Sequence, residues 1–81
     1  MRDFSPVRTR SVASDVVGQI VERLRSGELK VGDVLPGERV LAAQMDVSRP
    51  TVGGAMARLA DAGILRRRPG RQNPEIGRAH V

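Results

Sequence analysis

The fold of this chain is decided by the stretch LPGERVLAAQMDVSRPTV, which occupies residues 35–52. Its first part predicts a short second helix over about residues 37–45. This helix is expected to end at Asp46-Val47. The residues expected on the inner face of this helix are Val40, Leu41 and Met45.

A longer helix is predicted to begin near the end of the same stretch. Ser48 is a favoured N-cap residue, and Pro50 falls in the first turn, where its missing N–H is not needed. Gly63 allows the left-handed turn with which many helices end. We therefore expect a third helix over about residues 48–62, with a buried stripe of Val52, Met56 and Leu59. Ala55 is expected to allow a close approach of another helix.

The residues on either side complete the pattern. Upstream, residues 11–26 predict a first helix, with Ser11 as N-cap and Gly27 as its stop. Its apolar stripe consists of Val12, Val16, Val17, Ile20, Val21 and Leu24. Downstream, the sequence ILRRR at residues 64–68 predicts a strand and Pro69-Gly70 a hairpin turn. The expected fold is mainly α with a small β wing, a winged helix-turn-helix of three helices and a hairpin.

Composition narrows the range of partners. The chain has 81 residues, enough for one small domain, and carries 14 Lys and Arg against 9 Asp and Glu. Every basic residue except Lys30 is arginine, whose planar guanidinium suits phosphates and guanine edges. Phe4 is the single aromatic residue, whereas proteins that bind RNA or single strands stack bases on several aromatic rings. A nucleic-acid partner would therefore be duplex DNA.

Other function classes find little support. The absence of cysteine excludes disulfides and thiolate metal sites and suits a cytoplasmic location. Residues 1–10 are interpreted as a flexible basic arm and not as a secretory signal, and no apolar run is long enough to cross a membrane. His80 is the only histidine, tyrosine is absent, and no nucleophile–base pair is visible. We expect no enzyme activity, no cofactor and no metal.

Three segments closely resemble the DNA-binding domain of the GntR family of transcription regulators. They are SGELKVGDVLP at residues 26–36, the deciding stretch at residues 35–52, and LADAGILRRRPG at residues 59–70. The resemblance extends over about residues 4–71, and the opening FSPVR is most similar to the FadR-like branch.

This resemblance implies that the third helix lies in the major groove of DNA and that the wing contacts the minor groove. It also implies a homodimer on a palindromic operator, with repression or activation controlled by a small-molecule effector bound by a domain outside this chain. The family's DNA contacts map onto Arg39, Ser48, Arg49, Pro50, Thr51 and Gly70.

Physical arguments bear on several of these positions. Arg49 and Thr51 open the third helix, where recognition helices meet base edges, and Arg49 can bond guanine O6 and N7. Ser48 either only caps the helix or also bonds a phosphate. Arg39 reaches the same groove, although such an arginine is often only a solvated surface charge. The wing residues expected to hold phosphates are Arg66, Arg67, Arg68 and Arg71. The alternative is that these arginines simply alternate along an exposed strand.

The sequence departs from the family pattern at two places in the helices. Many members carry arginine after the Thr-Val pair, where this chain has Gly53 followed by Gly54. This change removes one expected DNA contact and weakens the helix by up to about 1 kcal/mol per glycine. Gly37 stands where serine is common and is a weaker cap.

The resemblance ends after Arg71, and the remaining residues are QNPEIGRAHV. Pro74 is poor in a paired strand, and residues 75–81 resemble the translation of a common sequencing-library adapter. We therefore expect a winged helix domain over residues 11–74, a non-native tail over residues 75–81, and an incomplete hairpin that lacks its second strand. A genuine short tail is the alternative.

Two functions are weighed for this domain. The first is sequence-specific binding of double-stranded DNA as the operator-reading domain of a bacterial transcription regulator. The second is a winged helix that serves as a protein-interaction module, which predicts a less basic wing and an apolar exposed face on the third helix. The sequence has neither feature, so DNA binding is favoured.

Overall fold

The computed structural model describes residues 11–70 and 73–79, in which three helices are followed by a two-stranded antiparallel sheet. The elements are α1 Val12–Arg25, α2 Glu38–Met45, α3 Arg49–Asp61, β1 Leu65–Arg66 and β2 Glu75–Ile76. The predicted winged, mainly helical fold is thereby confirmed. The predicted arm at residues 1–10, Arg71 and His80 lie outside the described residues.

Serine side chains cap two of the helices, as predicted. Ser11 Oγ accepts a hydrogen bond from the backbone N–H of Ser14 at 3.1 Å, and Ser48 Oγ accepts one from Thr51 at 3.2 Å. Helix α2 begins after Gly37 and has no side-chain cap. It ends at Asp46, whose φ of 56° places it in the left-handed region. This sharp stop leaves only a short turn before α3, so the two helices stay adjacent.

The core lies between α1 and α3 and extends under the wing. It is formed by Val16, Ile20, Leu24, Leu35, Ala55, Leu59, Ile64, Leu65 and Ile76. A smaller cluster of Leu41, Ala42 and Val52 joins α2 to α3.

Two residues predicted to face inward are exposed. Val40 is 41% exposed because the short helix α2 turns only one narrow stripe, which includes Leu41 and Ala42, toward α3. Each residue of a helix is rotated by about 100° from the one before it, so Val40 lies about 200° from Ala42 and faces away from α3. Val12 is 52% exposed at the first position of α1. The inward placement of both valines was therefore wrong.

The expectation of a missing second wing strand was also wrong. Strand β2 pairs with β1 through Leu65 opposite Ile76 and Arg66 opposite Glu75. Pro74 precedes the strand, so its missing N–H interrupts no ladder bond. Ile76 fits the position because its apolar side chain is fully buried in the core, and this packing does not depend on the origin of its codon. The adapter origin of residues 75–81 stays a prediction.

Strand β2 also bonds the connector between α1 and α2. The backbone N–H of Ile76 donates to the Asp33 carbonyl at 2.8 Å, and the Ile76 carbonyl accepts from Gly32 at 2.9 Å. The Pro74 carbonyl accepts from Leu35 at 2.9 Å. The wing is thus held on both edges of β2, which fixes its position relative to α3.

Candidate nucleic-acid interface

The first turn of α3 presents four of the predicted DNA contacts together. Ser48 is engaged as the N-cap, and its hydroxyl also lies 2.7 Å from the Thr51 hydroxyl. Arg49 and Pro50 follow the cap and are exposed, while Thr51 is half-buried. The capping role of Ser48 is confirmed, and Arg49 is the side chain of this turn with the greatest reach.

Arg39 and Arg49 line one open groove of about 510 Å³, whose other walls include residues 36–38 and Asn73. Both arginines are exposed, and neither guanidinium forms a hydrogen bond or ion pair with any residue in the described part of the chain. Each stands in the first turn of its helix, where backbone N–H groups add positive potential. The structure therefore brings together the two arginines that the sequence predicted as DNA contacts.

The wing arginines differ from one another. Arg66 Nη2 lies 3.1 Å from Glu75 Oε1, and Arg68 Nε donates to the Asn73 carbonyl at 3.3 Å. Arg67 is exposed and forms no such bond within residues 11–70 and 73–79. Gly70 is exposed at the hairpin turn with a φ of 73°, which favours glycine. Of the three described arginines of the wing, only Arg67 has a guanidinium with no bonding partner among the described residues.

Glu38 is a charged residue of this surface that was not among the predicted DNA contacts. Its side chain lies against the backbone of Gly53, and a Cβ built there would be 3.3 Å from Glu38 Oε2. Gly53 follows Arg49 by four residues and so lies on the same face of α3. The sequence feature that could have indicated this role is Gly53, because the absence of a side chain there leaves room for a side chain from another helix.

Several other kinds of site are not found among the described residues. They contain no group of three or more His, Cys, Asp or Glu residues placed to hold a metal ion. No buried side-chain nitrogen or oxygen within them lacks a hydrogen-bond partner. None of their helices combines the length and apolar character needed to cross a membrane.

A sequence profile described as "Bacterial regulatory proteins, gntR family" matches residues 12–72, from the start of α1 into the wing. This chain belongs to the GntR family. The GntR match includes all three helices and β1, and so includes both arginines of the groove. The FadR-like branch stays a prediction.

Named relatives agree with the GntR assignment. The HTH-type transcriptional regulator Mce2R of Mycobacterium tuberculosis is 45% identical over 67 residues, which are 83% of this chain and 28% of Mce2R. MngR of Escherichia coli, a "Mannosyl-D-glycerate transport/metabolism system repressor", is 42% identical over 50 residues, 62% of this chain and 21% of MngR. The chain thus spans a minor part of the length of these curated relatives.

A solved structure supports the same conclusion. YtrA from Sulfolobus acidocaldarius, a GntR-family transcription factor, matches with a TM-score of 0.78 and 31% identity, over 93% of this chain and 76% of YtrA. The chain is therefore the helix-turn-helix domain of a GntR-family transcription regulator, and the matched family and these relatives are described as regulators.

Proposed function

We propose that this GntR domain binds double-stranded DNA sequence-specifically and reads the operator of a bacterial transcription regulator. Helix α3 enters the major groove with its N-terminal end on the base edges, and the wing lies on the minor groove and the backbone. The observation that carries the proposal is the open groove shared by Arg39 and Arg49. Two exposed guanidinium groups without internal partners are available for guanine edges and phosphates.

The exposed surface of α3 is less suited to a protein-interaction module. The large hydrophobic residues exposed among the described residues are Val12, Val31, Val34 and Val40, and none of them lies on α3. The exposed residues of α3 are small or charged apart from Pro50. This distribution favours a hydrated, charged partner such as DNA.

The whole regulator acts as a homodimer on a palindromic operator in the cytoplasm, under the control of a small-molecule effector. The relatives support the effector domain in particular, because this chain corresponds to only 28% of Mce2R. The remaining length of such a protein is ample for a separate effector domain. A dimer binds more tightly than one domain because both half-sites are engaged together.

The proposal is tested by enriching a random duplex library on the 81-residue chain and measuring affinity for the enriched duplex by fluorescence anisotropy. We expect tighter binding to that duplex than to a shuffled one, with affinity falling steeply as salt rises. Arg49→Ala should lower specific affinity, by about fivefold or more if it reads guanine.

Arg25→Ala is the matched control for this experiment. Arg25 is exposed in the last turn of α1, so its loss removes the same charge from a different helix. The control should retain most of the specific affinity. Equal binding of enriched and shuffled duplexes, or no binding at low salt, would overturn the proposed function.

A further inference from the structure

The carboxylate of Glu38 occupies the surface that a side chain at position 53 would otherwise form. Glu38 is the first residue of α2, and its Oε2 and Oε1 lie 3.3 and 3.5 Å from the position of a Cβ on Gly53. Gly53 lies one turn beyond Arg49 along α3. Glu38 therefore extends the set of side chains presented along that face, although it belongs to the other helix.

This carboxylate has no partner of its own. Glu75 and Glu28 each form an ion pair, with Arg66 and Arg23 respectively. Glu38 is exposed, and its carboxylate forms no hydrogen bond or ion pair with the part of the chain that the structure describes. Its oxygens are acceptors only, so they can bind a donor from outside the chain.

The major groove offers such donors on two bases only. Cytosine presents N4 and adenine presents N6, whereas guanine and thymine present acceptors at the corresponding positions. A carboxylate close to DNA is repelled by phosphates and by base acceptors, so it is tolerated best where it meets an amino group. That combination of one favoured and several disfavoured contacts produces specificity.

We infer that Glu38 reads an exocyclic amino group, cytosine N4 or adenine N6, at the base step next to the one that Arg49 contacts. The inference rests on the proposed function, since it places α3 in the major groove. It makes Gly53 part of the specificity of this domain, because a larger side chain there would displace or neutralise the carboxylate.

The test compares Glu38→Ala with the unaltered 81-residue chain on a randomised duplex library, followed by sequencing of the bound fraction. We expect the unaltered chain to enrich cytosine or adenine at one position of the bound motif, and the sequencing distinguishes these two bases. Glu38→Ala should reduce that preference roughly fivefold or more and leave the positions read by Arg49 unchanged. Circular dichroism checks that the variant is folded.

Two further variants sharpen the result. Glu22→Ala removes the same side chain from the exposed surface of α1 and should leave the enriched motif unaltered. Gly53→Arg places a guanidinium beside Glu38, so the preference should move from an amino-bearing base toward guanine. The neighbour of a new Cβ at position 53 is the flexible end of Glu38, which can give way.

The outcomes separate the inference from the function on which it rests. An unchanged motif in Glu38→Ala, with specific binding intact, overturns the role of Glu38 alone. A uniform rise in affinity for all sequences also overturns it, because the carboxylate would then act only by repelling phosphates. Failure of the unaltered chain to bind any duplex overturns the proposed function and the inference together.

Discussion

Leu65 and Ile76 lie opposite each other in the wing, and the two residues are 5% and 0% exposed. Both belong to the core cluster that joins α1 and α3. The wing is therefore an extension of the core and not an appended loop. Since β2 also bonds the connector that precedes α2, loss of this pair would loosen the wing and the base of the helix-turn-helix together.

Ile76→Ala is expected to lower the free energy of unfolding by about 2–5 kcal/mol, because it leaves a cavity in a dense core. That loss is a large fraction of the stability of so small a domain. Val31→Ala is the control, since Val31 is 59% exposed and its truncation should change stability by no more than about 0.5 kcal/mol. Urea denaturation followed by circular dichroism measures both. Equal midpoints for the two variants would show that β2 does not dock.

Arg67→Ala is expected to weaken DNA binding uniformly across sequences and to reduce the salt slope by about one unit, as for one lost phosphate contact. Arg66→Ala is the matched variant, because Arg66 is already paired with Glu75 at 3.1 Å. We expect it to leave the slope nearly unchanged. Anisotropy titrations at several salt concentrations give both slopes, and identical reductions would refute the assignment of different roles.

Ser48 is tested for its two roles by a pair of substitutions. Ser48→Ala removes the cap and should cost about 0.5–2 kcal/mol of stability. Ser48→Asp keeps a good cap, so stability should be retained, whereas the added negative charge should weaken DNA binding if a phosphate lies close by. Thermal melts and anisotropy separate the two effects. Full DNA affinity in the aspartate variant would leave Ser48 as a cap only.

Gly54→Ala is expected to stabilise the domain by up to about 1 kcal/mol, because alanine is the better helix former. A Cβ at Gly54 meets no atom within 4 Å, so no steric cost opposes the gain. Gly53→Ala should stabilise less, because its Cβ would approach Glu38 Oε2 at 3.3 Å. Thermal melts of the two variants provide the comparison. A larger gain at position 53 would mean that the Glu38 side chain is not held there.

The helices and their ends could be predicted because their signals are local. A serine followed by a regular apolar spacing identified the starts of α1 and α3, and both caps form in the structure. The inner face of α2 was less predictable, and Val40 was placed wrongly. In a helix of eight residues, the stripe that is buried depends on where the neighbouring helix lies, which periodicity alone does not encode.

Caps and apolar spacing were enough to predict the three helices and the wing, and the resemblance of three segments was enough to predict the family and its DNA-contact arginines Arg39 and Arg49. Three features required the packed molecule: Ile76 closes the wing, Arg66 and Arg68 are bonded within the chain while Arg67 is not, and Glu38 covers Gly53. Each of these contacts joins residues from different elements. Their formation depends on how the elements pack, which no local pattern of residues specifies.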